Sequence, residues 1–280
     1  MLLLKAPLHS IRKTGFFRYL LKSRLNKPRL CNIGFDHKVA LRPLTHASIR
    51  WNRNSLEPNI RKLICEVGRK LDLQNNKGWF FDVGANVGLY SWLIRKTCPN
   101  RKILAFEPDP KNFELLKTTI KSGGLENLEL SPHALNNQSE EVCFFQDTLT
   151  SSTGTISKAS KPWVEQYLNG SSHKIRVQSK TLDSLINENK IPSLLKIDVE
   201  GHEVEVLQGT EKVLSNARPL LFIESFPPNR EKTMDLLIGQ GYHLIDADKW
   251  SSVDENTHNL FAWHPLGPIE ESTIRELISK

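Results

Sequence analysis

The sequence predicts a doubly wound α/β sheet, and three observations carry that expectation. From Gly78 onward, short apolar runs of strand character alternate with amphipathic helical segments, which implies parallel strands joined by crossover helices. Four of those runs end directly in a carboxylate, at Asp82, Glu107, Asp198 and Glu224. The first continues into Gly84-Ala85-Asn86-Val87-Gly88, where two glycines let the backbone turn sharply and approach a ligand.

At 280 residues the chain can hold one sizeable α/β domain and an appendage, and 39% hydrophobic with 25% charged content is ordinary for a globular protein. The net charge of +7 is local. Residues 1–30 contain Lys5, Arg12, Lys13, Arg18, Lys22, Arg24, Lys27 and Arg29 with no acid, leaving 30 basic against 31 acidic residues beyond them. Cys31, Cys65, Cys98 and Cys143 are dispersed, which argues against a zinc knuckle or a disulfide framework and suits a reducing compartment. Met1-Leu2-Leu3-Leu4 starts apolar but is interrupted by Lys5 and Pro7, and no run of about 18 apolar residues follows. The expectation is a cytoplasmic protein, membrane-peripheral if its basic arm meets lipid.

Between Ile11 and Leu25, apolar and basic residues alternate as in a basic amphipathic helix. Such a helix can lie on an anionic membrane, reach a lipid-linked glycan, or pack on its own domain with a solvated basic face. Residues 31–77 read as a cap, with Ile60 to Leu71 as a helix. The alternation then gives strand Phe80–Val83, helix Leu89–Lys96, strand Ile103–Phe106, helix Phe113–Lys121 and strand Leu128–Leu130. An excursion with strands Val142–Phe145 and Ile175–Val177 surrounds a Ser/Thr-rich loop at Thr148–Ser157, of the kind that is either mobile or functional. The alternation resumes with Ser193–Asp198, a helix from Glu203 to Leu214, strand Leu220–Glu224, a helix at Met234–Ile238, and closing strands Tyr242–Ile245 and Asn259–Trp263. The expected organisation is a basic arm and helical cap at 1–77, a core domain at 78–265 and a helical tail at 266–280.

Ligands of open α/β sheets sit outside the carboxyl ends of the strands, where the four carboxylates fall. The turn is not GxGxxG, because Asn86 replaces the second glycine, although Asn tolerates a left-handed backbone. A pyrophosphate is poorly served there. A smaller ligand with a carboxylate, such as the methionine part of S-adenosylmethionine, can be held by amides at the helix start. Glu107 lies 25 residues beyond Asp82, where an acid can accept hydrogen bonds from both ribose hydroxyls.

Asp82–Gly88, Phe106-Glu107-Pro108, Leu195-Lys196-Ile197-Asp198-Val199-Glu200-Gly201-His202-Glu203 and Leu207-Gln208-Gly209 together resemble the FkbM-type methyltransferases, over about residues 78–265. The resemblance implies a class I methyltransferase fold with a seven-stranded sheet, S-adenosylmethionine as methyl donor, and a hydroxyl of a sugar, glycan or natural product as acceptor. By position, Asp82, Gly84, Asn86 and Gly88 would contact the methionine moiety, Glu107 the ribose, and His133-Ala134-Leu135 the adenine.

Methyl transfer is an in-line displacement that needs the acceptor oxygen held against the sulfonium methyl and relieved of its proton. His202 is the candidate base, the alternative being a solvated helix-start histidine. Asp198 and Glu224 are candidate Mg²⁺ ligands; otherwise Asp198 orients substrate or the cofactor amine without a metal. Glu200 and Glu203 suit a helix start. Trp250, Trp263 and His264 are candidates for an acceptor wall, the alternative being core. Two other functions fit less well. A nucleic-acid methyltransferase guided by the arm lacks an Asn-Pro-Pro-Tyr base-flipping motif and a basic stripe on the body, and a non-catalytic binding module would not need intact glycines and paired carboxylates.

Overall fold

The computed structural model describes residues 14–52, 56–151, 153–156 and 172–279. In chain order its elements are α1 (Gly15–Lys22), β1 (Arg29–Cys31), β2 (Val39–Leu41), α2 (Ala47–Asn52), α3 (Pro58–Leu73), β3 (Trp79–Val83), α4 (Leu89–Thr97), β4 (Ile103–Phe106), α5 (Pro110–Gly123), β5 (Leu128–Ser131), β6 (Ala134–Leu135), β7 (Glu141–Asp147), β8 (Ser172–Lys180), β9 (Pro192–Ile197), α6 (Glu203–Gln208), β10 (Leu220–Glu224), α7 (Asn229–Gly239), β11 (His243–Asp246), β12 (Asn259–Trp263) and α8 (Glu271–Ile278).

Seven strands form one sheet in the order β11-β12-β10-β9-β3-β4-β5, and within it only β12 runs against the others. Apolar strands buried on both faces need helices on both faces, and the sequence supplies them. Phe80, Leu194, Leu220 and Phe222 pack under α3, α4 and α8 through Ile60, Leu63, Ile94, Ile274 and Leu277. Phe81, Leu195, Leu221 and Ile223 face α6 and α7 through Val206, Leu207 and Leu237. The residues before Gly78 thus share a core with the sheet. Strand order reverses between β3 and β9, so a crevice opens at their carboxyl ends.

Residues 29–41 form a small two-stranded sheet, β1 with β2, that pattern reading does not reveal because each strand is three residues long. The helix expected at Glu203–Leu214 is instead broken. α6 ends at Gln208, and Val213–Ala217 forms a separate π-helical turn. The break falls at Gly209, where a Cβ would lie 2.0 Å from the Asn136 carbonyl oxygen, so only glycine lets the chain pass that backbone. Of the basic helix expected from Ile11 to Leu25, residues 11–13 lie outside the described residues, and the rest is α1 followed by a 3₁₀ turn at Arg24–Asn26.

Candidate active site

Two of the three left-handed residues in the turn after β3 stand where no Cβ would fit. Gly84, Asn86 and Gly88 have φ of 80°, 54° and 86°. A Cβ on Gly84 would lie 1.9 Å from the Asp198 carbonyl oxygen, so the bare backbone is what lets the ends of β3 and β9 meet, with the Asp198 amide donating to the Val83 carbonyl at 3.0 Å. A Cβ on Gly88 would lie 2.5 Å from the Trp92 indole. Asp82 is buried behind the turn, where its Oδ2 accepts from the Ser91 amide at 2.9 Å and the Ser91 hydroxyl at 2.6 Å. Asp82 and Gly88 therefore build the turn from behind, whereas Gly84 and Asn86 face the pocket in front of it.

That pocket brings Gly84, Asn86, Glu107, His133, Ala134, Leu135, Asp198 and His202 together. Glu107 Oε2 accepts from the Asn86 amide at 2.6 Å and Oε1 from the Asp109 amide at 2.8 Å, which ties the end of β4 to the glycine turn. Burial, reinforced by the Asp109 charge, pushes the Glu107 carboxyl up to about 8 against those two amides. The Asn86 Oδ1 is buried without a hydrogen-bond partner, an acceptor left over for a ligand.

The Ser/Thr-rich loop closes the pocket. Asp147 Oδ1 accepts from the amides of Leu149 and Thr150 at 2.8 and 2.9 Å, and Oδ2 accepts from the Thr153 hydroxyl at 3.0 Å. Asn112 holds the Ser151 carbonyl at 2.8 Å, and the Thr155 hydroxyl reaches the Val199 carbonyl at 3.4 Å. Phe144 and Ile156 complete this wall.

Beyond Asp198 lies a second group that pattern reading did not single out. Lys196 is cross-strand neighbour to Asp82 and to Phe222, and its side chain is 1% exposed. Its Nζ lies 3.4 Å from Asp198 Oδ2 and 5.2 Å from the Tyr90 ring centre. The Tyr90 hydroxyl donates to Glu57 Oε2 at 2.7 Å, with Glu57 at the start of α3 in a left-handed conformation. Burial opposes the Lys196 charge, but Asp198, Glu57, Glu224 and Asp82 hold its pKa above the ordinary lysine value. Burial raises the Glu57 and Glu224 carboxyls. A lysine between leucine and isoleucine in an apolar strand is the one sequence signal for this group, because buried lysines are rare unless paired.

The expected Mg²⁺ pair does not fit this arrangement. The ammonium of Lys196 stands beside Asp198 on the sheet face that also carries Glu224, where the metal would supply its charge. Among the described residues no group of three or more His, Cys, Asp or Glu side chains is arranged to hold a metal ion. The aromatic wall is also relocated. Because β12 runs antiparallel, Trp263 and His264 lie at the opposite end of the sheet from Asp198, and Trp263 is core, stacked on Phe261 at 5.6 Å. Trp250 instead packs under Lys62.

His202 lines the pocket and is 8% exposed. Its Nε2 is 3.0 Å from Asn136 Oδ1, which also accepts from the Asn137 amide at 2.8 Å, so the network assigns the proton to Nε2. Nδ1 then carries a lone pair 3.4 Å from Glu205 Oε2. Burial lowers the pKa of His202, and the Glu205 charge opposes that shift.

The buried acids set a pH dependence. The Glu107 carboxyl at about 8 and the Glu203 carboxyl at about 7 are above their ordinary 4.5, so from about pH 4.5 up to those values the folded chain holds protons that the unfolded chain has released. Stability therefore falls as pH rises through that range. His46, lowered to about 4 by burial, acts in the opposite sense below its ordinary 6.5. The melting temperature of the ligand-free protein should decline from about pH 6.5, where the opposing His46 contribution ends, to about pH 8. Glu107→Gln should flatten the alkaline decline, and a melting temperature that rises from pH 7 to 8.5 would contradict this account.

Strand order with one reversed strand next to the edge, a glycine turn after the central strand and an acid ending its neighbour define a class I methyltransferase fold. The family model described as the methyltransferase FkbM domain matches residues 82–247. The chain belongs to the FkbM methyltransferase family. It is similar to methyltransferase sdnD of Sordaria araneosa, with 26% identity over 61% of this chain and 76% of that one. It is also similar to the hexuronic acid methyltransferase AglP of Haloferax volcanii, with 30% identity over 57% of this chain and 59% of the relative. A crystal structure of an FkbM methyltransferase from Methylobacillus flagellatus is similar with 14% identity and a TM-score of 0.44, over 67% of this chain and 44% of that one.

Proposed function

We propose that the chain transfers a methyl group from S-adenosylmethionine to a hydroxyl oxygen of a sugar, a glycan or a related hydroxylated product. The observation that carries this reading is a pocket with Glu107 and the unpartnered Asn86 Oδ1 on one side and Asp198 on the other, joined through the Gly84 contact. A buried acid ending β4 suits ribose hydroxyls, and Ala134 with its neighbours suits an adenine ring. The cofactor would bring a sulfonium methyl open to displacement. What the chain's residues contribute is alignment and proton handling.

Asp198, with Lys196 beneath it, is assigned to orient the acceptor, and His202 to take its proton at Nδ1. Asp198 lines the pocket, and Glu57 and Glu224 stand close enough to share the charge of Lys196, a set of carboxyls that favours a polyhydroxylated acceptor. The printed name of the Haloferax volcanii relative, a hexuronic acid methyltransferase, points to the same substrate class. Calorimetry with S-adenosylhomocysteine tests the donor half. Micromolar binding is expected, with loss of ten-fold or more in Glu107→Ala through the ribose and in Asp82→Ala through a loosened turn; no binding by the parent protein rejects the reading. Mass-spectrometric screening for labelled methyl on candidate glycans then tests the acceptor.

A further inference from the structure

Helix α1 presents two apolar faces, and among the described residues only one of them packs against the rest of the chain. Phe17 turns inward and is 6% exposed, whereas Phe16 and Tyr19, three positions apart on one side, are 72% and 71% exposed. The chain continues outward with Leu25 and Leu30, at 58% and 42% exposure. This orientation is fixed by specific bonds. The Thr14 hydroxyl accepts from the Phe17 amide at 3.2 Å, the Ser23 hydroxyl donates to the Leu20 carbonyl at 2.6 Å, and buried Asn26 donates to the Leu21 carbonyl at 3.0 Å and to the Thr45 hydroxyl at 2.9 Å. Phe16 and Tyr19 are therefore held toward solvent by an anchored element.

Lys22, Arg24, Lys27 and Arg29 are exposed among these apolar side chains, and residues 1–30 contain no acid. A helix whose outer face served only for solubility would not place two aromatic rings there. Aromatic rings at headgroup depth, with cations reaching anionic headgroups around them, match a bilayer interface. A polynucleotide would engage the cations but leave Leu25 and Leu30 without a partner. Among the described residues no helix is long and apolar enough to cross a membrane, so contact would be in the plane of the surface.

We propose that α1 and the segment through Leu30 dock the protein on an anionic lipid surface. This rests on the arm alone and is independent of the methyltransferase reading. The test is co-sedimentation of the full-length chain with vesicles of phosphatidylcholine, with and without phosphatidylglycerol, at low and high salt. Pelleting is expected with the anionic vesicles only and should weaken with salt. Phe16→Ser with Tyr19→Ser should weaken it roughly ten-fold while leaving the melting temperature unchanged, since both rings are exposed. Arg24→Glu with Lys27→Glu should weaken it as well. Equal pelleting of the aromatic double variant, pelleting with phosphatidylcholine alone, or binding to heparin without binding to vesicles would each overturn the proposal.

Discussion

Gly84→Ala is expected to abolish cofactor binding while Gly124→Ala leaves it intact. Both glycines have positive φ, so each substitution carries the left-handed strain of about 1–2 kcal/mol. The two differ in what a methyl group would meet. At Gly124 there is open space, whereas at Gly84 the new carbon would lie 1.9 Å from the Asp198 carbonyl oxygen. Backbone cannot swing aside as a side chain does, so the ends of β3 and β9 must separate. That movement breaks the bond from the Asp198 amide to Val83 and carries the amide of Asn86 away from Glu107. The donor pocket and Asp198 are displaced together, and affinity for S-adenosylhomocysteine should fall at least 100-fold, with a melting temperature well below that of Gly124→Ala. Calorimetry and thermal melts on the pair of variants check this; similar affinities in both would show that the contact at Gly84 does not hold the site together.

Much of the sheet was legible because its signals are local. An apolar run, a carboxylate and a turn specify a buried strand whatever surrounds it, and strands Ile103–Phe106 and Asn259–Trp263 are found with those bounds. Gly84, Asn86, Glu107, Ala134, Asp198 and His202 share one pocket because the alternating pattern fixes parallel strands and parallel strands bring their carboxyl ends together. Asp82 sits behind that pocket because strand position alone does not reveal which way a side chain is tied, and here Ser91, nine residues on, ties it.

What stayed hidden depends on contacts distant in sequence. Glu57 reaches the site through Tyr90, and its partner is 33 residues away, across α3 and α4. The helix ends at Gly209, which passes close to the Asn136 backbone, a contact that a periodicity argument confined to residues 203–214 cannot see. The Mg²⁺ expectation followed from two carboxylates on neighbouring strands, and it took no account of Lys196, two residues before Asp198 in the chain, whose ammonium lies 3.4 Å from Asp198 Oδ2. Antiparallel β12 likewise sent Trp263 and His264 to the far end of the sheet.

Lys196→Met should cost several kcal/mol of stability at pH 8 and much less at pH 5.5. The methionine conserves most of the volume, so the change isolates charge from packing. At an effective dielectric near 20, a unit pair at the 3.4 Å between Lys196 Nζ and Asp198 Oδ2 interacts by about 5 kcal/mol before desolvation. Removing one member of a buried pair typically costs about 3–5 kcal/mol because the partner is left uncompensated. Here Asp82, Asp198, Glu57 and Glu224 would all lose their common cation. Without it the carboxyls of Asp82, Glu57 and Glu224, already raised by burial, rise further, so they take up protons in the folded state as pH falls, and the deficit relative to the parent shrinks on the acid side. Lys196→Arg keeps the charge but not the reach of a single ammonium, so it should recover stability more than activity. Urea unfolding of the three proteins at both pH values separates the explanations: a Lys196→Met deficit equal at pH 5.5 and 8 would mean that Lys196 serves as packing and not as the cation that holds Asp198 in place.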